Sequence, residues 1–225
     1  DADPRENHYS CRRLRQMCIR DRTATAYHEA GHALVATLLP HADPVHKVTI
    51  LPTGQALGVT MQLPEERHAY TKEYIEDRLA VLFGGRMAED NVFGVISTGA
   101  SNDLMQGTEL ARKMVTEWGM SERVGPRAWG SNAQIVLGDD LMSGREYSED
   151  TARIIDEEVQ RILVEQEHRA KKTLVENRSA LDRIAAALLD KETIDGNDIA
   201  KLIPEPTSDL TEGLNADLDT LGPEL

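Results

Sequence analysis

Aromatic side chains make up only 4% of this 225-residue chain: two Phe, two Trp and five Tyr. A core built with so few rings must be filled by Leu, Ile, Val, Met and Ala, and an aliphatic, helical interior is expected. Cysteine is nearly missing as well. The two present, Cys11 and Cys18, sit in an Arg-rich opening segment that looks foreign to the rest, which fits a reducing compartment. The spacing of His8, Cys11 and Cys18 matches no zinc pattern. Bases are outnumbered, 25 against 39 acids, and the net charge of −14 argues against a nucleic-acid partner or an anionic membrane surface. No apolar run approaches the ~18 residues of a membrane span, no signal-peptide pattern opens the sequence, and no internal repeat is visible.

What stands out against these absences is Thr25-Ala26-Tyr27-His28-Glu29-Ala30-Gly31-His32-Ala33-Leu34-Val35-Ala36, which contains His-Glu-x-x-His. Pro40 supplies a stop, and the flanking Ala, Leu and Val residues suit a helix over 24–39. On a helix, His28 and His32 are one turn apart on the same face and can share one zinc ion, with Glu29 beside the first ligand. Two surface histidines would be the plain alternative. The segment is otherwise nearly all apolar, and buried polar groups need partners. Gly31 costs the helix about 1 kcal/mol relative to Ala, easier to accept if something must pack closely there.

The remaining chain divides by period. Residues 1–22 show little apolar periodicity and read as a disordered arm outside the fold. Val48 and Ile50, then Leu57, Val59, Met61 and Leu63, alternate with polar positions, giving two strands joined by a turn at Pro52-Thr53-Gly54. That ribbon is either structural or an edge able to pair with an extended peptide. Ile75, Leu79, Leu82 and Phe83 stripe a helix over 71–90, in which Gly84-Gly85 marks either an end or the close approach of another backbone. Ser101 is a candidate N-cap for a helix running to about Trp118, stopped by Gly119. A long connection over 120–147 follows, with a short strand expected at Gln134–Leu137. Ser148 can cap a long helix striped by Ala152, Ile155, Val159, Ile162 and Leu163. A second helix carries Leu181, Ile184 and Leu188, and Asp195 can cap a short last one. Residues 204–225 hold six acids and no base, the composition of a disordered acidic tail.

A zinc peptidase needs three protein ligands and one open position. The metal would lower the pKa of its water from about 15.7 to about 7, a shift of roughly 12 kcal/mol. Glu29 would take a proton from that water and pass it to the leaving amine. His28 and His32 give two ligands. Glu65, Glu66, Glu89, Asp90 and Asp103 are candidates for the third, and spacing does not decide among them. For Asp103, favourable contact with its helix dipole is the competing role.

Several blocks in order resemble the peptidase domain of the FtsH family, membrane-anchored ATP-dependent zinc metalloproteases. They are Thr25–Leu34, Asp43–Ile50, Ala56–Thr60, Gly84–Glu89, Ser97–Leu104, Met114–Ser121 and the stretch from Tyr147 to Val159. The resemblance covers about residues 23–203. It implies a mainly α zinc-metallopeptidase domain with a small β ribbon beside the His-Glu-x-x-His helix. It implies one Zn2+ per chain held by His28, His32 and Asp103, Glu29 as general base, and Glu89 supporting the site from behind or serving as an alternative ligand. It further implies unfolded membrane and soluble polypeptides as substrates and a homo-hexamer in the full-length protein. Anchorage would be at the cytoplasmic face of a bacterial inner membrane through segments not found here, this piece itself being soluble. ATP would act only through an ATPase module, and no Gly-x-x-x-x-Gly-Lys-Ser/Thr loop occurs in this chain. The rival reading is a ring-forming oligomerisation module, inactive without its ATPase partner domain. Three departures from the family pattern are residues 1–22, which do not resemble the family's join to its ATPase module, Ile135-Val136-Leu137-Gly138, where Phe-Leu-Gly is usual, and Gly107, where an Ala-like residue is more usual.

Overall fold

A computed structural model describes residues 4–52, 57–64, 69–128 and 147–203, those of 4–19 by their backbone alone. The expected disordered arm over 1–22 therefore falls mostly outside the described side chains. The turn at 53–54, the strand at Gln134–Leu137 and the acidic tail fall outside the described residues altogether.

Helix α1 spans Pro4–Leu38 and contains the His-Glu-x-x-His segment. Ala26, Ala30, Ala33, Leu34 and Val35 are fully buried along it. Such small side chains let a neighbour come close, and α2, Lys72–Phe93, does so. A Cβ added at Gly84 would lie 2.8 Å from the Gly31 carbonyl oxygen, and one at Gly31 would lie 2.6 Å from Ala88 Cβ. The two helices thus meet backbone to backbone, and that contact accounts for both glycines. Gly84-Gly85 does not end α2. The helix runs on to Gly94, whose positive φ of 64° closes it. Thr71 starts it, its hydroxyl accepting from the Tyr74 N–H.

Helix α2 is the shared wall of two aliphatic clusters. On one side its Ala80, Val81, Phe83, Met87 and Ala88 join α1, α4 (Glu149–Glu176) and α5 (Arg178–Lys191), with Leu174, Leu181, Ile184 and Leu188 at the centre. On the other, Tyr74, Ile75 and Leu79 meet Ala111, Met114 and Val115 of α3 (Ser101–Thr116) and Ile155, Val159 and Ile162 of α4. Each large aliphatic side chain so buried contributes about 1.5–3 kcal/mol. The stripes expected for these helices are the faces that pack. Ser148 caps α4 by accepting from the Thr151 N–H.

Ser101 is not the cap it was expected to be. It is the first residue of α3, preceded by a 3-10 turn over Thr98–Ala100 whose start Ser97 caps through the Gly99 N–H. Asp195 stands at the N-cap position of α6, Gly196–Leu202, without a side-chain hydrogen bond there.

The two expected strands are β1, Val45–Thr49, and β2, Val59–Gln62. They pair antiparallel, Val48 opposite Thr60 and Thr49 opposite Val59. A third, β3 (Thr193–Asp195), pairs with the other side of β1, so the sheet order is β2-β1-β3. Strand β3 escaped sequence reading because three residues show no alternation. Its one inward side chain, Ile194, sits opposite Val48. Strand β2 lies at the sheet's edge, beside α1 at Glu29.

Candidate active site

Three elements converge where α1 crosses α2. The α1 helix brings His28 and His32 to one face, one turn apart, with their Nε2 atoms 3.0 Å from each other. Asp103, in the first turn of α3, places Oδ2 3.3 Å from His28 Nε2 and 3.5 Å from His32 Nε2. Among the described residues these three form a group whose ligand atoms all lie within 4.8 Å of one another.

The hydrogen bonds behind the imidazoles fix what their front faces offer. His32 Nδ1 is 2.7 Å from the Val81 carbonyl oxygen, which can only accept, so Nδ1 carries the proton and Nε2 a lone pair. His28 Nδ1 is 2.8 Å from Glu89 Oε1, and the same reasoning gives it the same tautomer. With both rings neutral, two nitrogen lone pairs and a carboxylate oxygen face one another at 3.0–3.5 Å with no hydrogen between them. Such an arrangement repels itself unless positive charge sits in its middle. Two ligands ~2.1 Å from a common ion at a tetrahedral angle would be about 3.4 Å apart, so the separations suit one small cation.

The same demand for positive charge shows in the protonation behaviour, where a proton on His28 can take the place of a cation. Burial opposes charge on His28, but hydrogen bonds to Asp103 and Glu89 and the nearby Glu29 carboxylate outweigh it and raise its pKa to about 9. Burial likewise works against the Asp103 carboxylate. Its bonds with His28 and His32 win and hold it well below the usual range. Glu89 is also held low, against its burial, by hydrogen bonds from His28 and Ser97.

The backbone makes room for this cluster. A Cβ at Gly85 would lie 2.6 Å from His28 Nε2 and 2.6 Å from His32 Nε2, so only a glycine lets both rings lie on α2. Glu29 is buried at 7% exposure. It rests on β2 and the residue before it: a Cβ at Gly58 would stand 2.7 Å from its Cγ, and Thr60 Oγ1 donates to Glu29 Oε2 at 2.7 Å.

Of the five candidates for a third metal-facing carboxylate, Asp103 faces both histidines. Glu89 is on the far side of His28, and Asp90 is taken by Lys171 at 2.8 Å. Glu65 and Glu66 lie outside the described residues. Thr60, Gly58, Gly85 and the Val81 carbonyl were missed as parts of the site. Of these only the Gly84-Gly85 pair left a trace in the sequence.

The profile of Peptidase family M41 matches residues 15–202. The chain belongs to that family. An M41 relative from Acidimicrobium ferrooxidans, named ATP-dependent zinc metalloprotease FtsH, is 58% identical over 82% of this chain and 28% of its own length. A protein of the same name from Acidobacterium capsulatum is 53% identical over 81% of this chain and 29% of its own. A third, from Endomicrobium trichonymphae and again so named, is 45% identical over 93% of this chain and 34% of its own. The chain thus spans about a third or less of the length of these relatives. No helix among the described residues is long and apolar enough to cross a membrane.

Proposed function

We propose that this M41 chain is the zinc-dependent endopeptidase domain of an ATP-dependent, membrane-anchored protease, cleaving unfolded segments of membrane and soluble proteins. The observation that carries the proposal is the meeting of three lone-pair donors, on His28, His32 and Asp103, with both imidazole tautomers set from behind. Two imidazoles and one carboxylate form a zinc-type donor set that leaves a coordination position for water or substrate. When bound there, zinc would make a water acidic near neutral pH and polarise the scissile carbonyl.

The chain's own residues supply the rest. Glu29, next to His28 in sequence, takes a proton from the attacking water and delivers it to the departing amine nitrogen. Glu89 keeps His28 in the tautomer that presents Nε2, and the Val81 carbonyl does so for His32. The free side of β2 can receive an extended peptide by backbone pairing, beside the base. ATP use, a homo-hexameric ring and attachment to the cytoplasmic face of a bacterial inner membrane belong to the longer protein. The names of the relatives and the family resemblance support them.

The test is zinc content per chain together with cleavage of an unstructured protein such as casein. Wild type should hold about one zinc and cleave. Glu29→Gln should keep zinc and lose cleavage, and Asp103→Ala should lose both. Undiminished zinc affinity in Asp103→Ala would overturn the ligand assignment. Full zinc without cleavage in wild type would favour a module that works only with its ATPase and ring, a reading that the short span of this chain relative to its relatives makes specific.

A further inference from the structure

We infer that Thr60 is a positioning residue for the general base, holding the Glu29 carboxylate in its working orientation from the edge strand. The inference deepens the function proposed above and rests on it.

A glutamate has three side-chain torsions, and the last is broad. Among the described residues, no side chain of helix α1 bonds the Glu29 carboxylate. Strand β2 does so from outside. Thr60 Oγ1 lies 2.7 Å from Glu29 Oε2 and 3.3 Å from the Glu29 backbone oxygen. The hydroxyl has one proton, and the shorter, charge-assisted partner takes it. Two residues earlier, Gly58 brings bare backbone against the same side chain, with room for no Cβ beside Glu29 Cγ and Oε1. The carboxylate is thus bounded by the backbone at Gly58, just before β2, and tied at Oε2. Thr60 pairs across the sheet with Val48, which is fully buried, so the tie is anchored in the core. An edge strand that both adjoins the base and can pair with a peptide couples substrate docking to base alignment. A misplacement of such a group by about 1 Å can cost a hundredfold in rate.

The test compares Thr60→Val, which keeps shape and strand preference, with Thr60→Ser, which keeps the hydroxyl. For casein or a fluorogenic peptide, Thr60→Val should lower kcat roughly ten- to a hundredfold with KM and zinc content near wild type. Thr60→Ser should recover most of the rate. A rise in KM at unchanged kcat would overturn the inference, since it would mark Thr60 as part of the peptide-docking edge alone. A second measurement needs no activity: thermal unfolding of wild type, Thr60→Val, Glu29→Ala and the double variant. Thr60→Val should lower Tm in the wild-type background and have little effect once Glu29 is gone. An equal drop in both backgrounds would show that the hydroxyl does not act through Glu29. Should the chain hold zinc and cleave nothing, the proposed activity of this chain fails, and the unfolding cycle still decides whether Thr60 holds Glu29.

Discussion

Glycines in two parts of this molecule behave in opposite ways. Along the α1–α2 crossing, Gly31, Gly84 and Gly85 each stand where a Cβ would collide with a backbone oxygen or an imidazole. In α3, Gly107 is buried too, yet a Cβ there would meet Leu79, Leu163 and Leu82 methyl groups at 3.8–4.0 Å, an ordinary contact distance. The first region is assembled from main chain and polar groups with no slack. The second is an aliphatic core in which side-chain ends meet and a methyl can be added. The proposed chemistry sits in the first, and the second supports it.

Gly31→Ala puts the difference under the greatest strain. Because the colliding atoms belong to the α2 backbone rather than a movable side-chain end, the loss should reach or exceed the upper end of the ~1–3 kcal/mol typical of overpacking. Urea unfolding measures it, and a stable variant with normal zinc content would show that the crossing can yield. Gly85→Ala should spare the fold more and the site less: displaced imidazoles should weaken zinc binding roughly ten- to a hundredfold, read by competition with a chromogenic chelator. Gly107→Ala should have the reverse sign, raising stability by about 0.5–1 kcal/mol through helix propensity, with cleavage unchanged. A destabilised Gly107→Ala would mean that this core is as tight as the crossing.

The smallest effect concerns pH. Glu158, buried in the second region, is held below the usual carboxylate range mainly by its hydrogen bond from Arg161, against its burial and with help from Ser121 and Arg123. A depressed folded-state pKa adds stability above the unfolded value of about 4.3. That contribution is lost as pH falls from there through the folded value, because the unfolded chain then binds the proton first. Unfolding free energy should therefore decline more steeply below about pH 5 in wild type than in Glu158→Gln. Parallel declines would remove Glu158 as a source of acid sensitivity.

What could be read from sequence follows the range of the interactions. His28, Glu29 and His32 lie within one helical turn, so spacing alone brings them together. The packing helices announced themselves through their stripes, and Ser148 through its capping chemistry. Asp103 is 71 residues beyond His32 in sequence. The folding of α3 against the α1–α2 pair, not any local pattern, separates it from Glu89 and Asp90, and only the family resemblance singled it out beforehand. Thr60 looked like one polar position of an alternating strand, and its tie to Glu29 is a contact between strand and helix. Ser101 misled as a cap because a 3-10 turn precedes α3 and moves the capping role back to Ser97. The Val81 carbonyl is main chain, and residue identity says nothing about where a main-chain oxygen will be needed.

The α1–α2 crossing has a mechanical meaning as well. Its closest atoms are peptide groups, which have no rotamers to turn, so the gap between the helices acts as a fixed gauge on which the two imidazoles are mounted. Any motion that a turnover cycle requires is therefore assigned to the parts not mounted on that gauge: the edge strand that touches Glu29 and the start of α3 that carries Asp103.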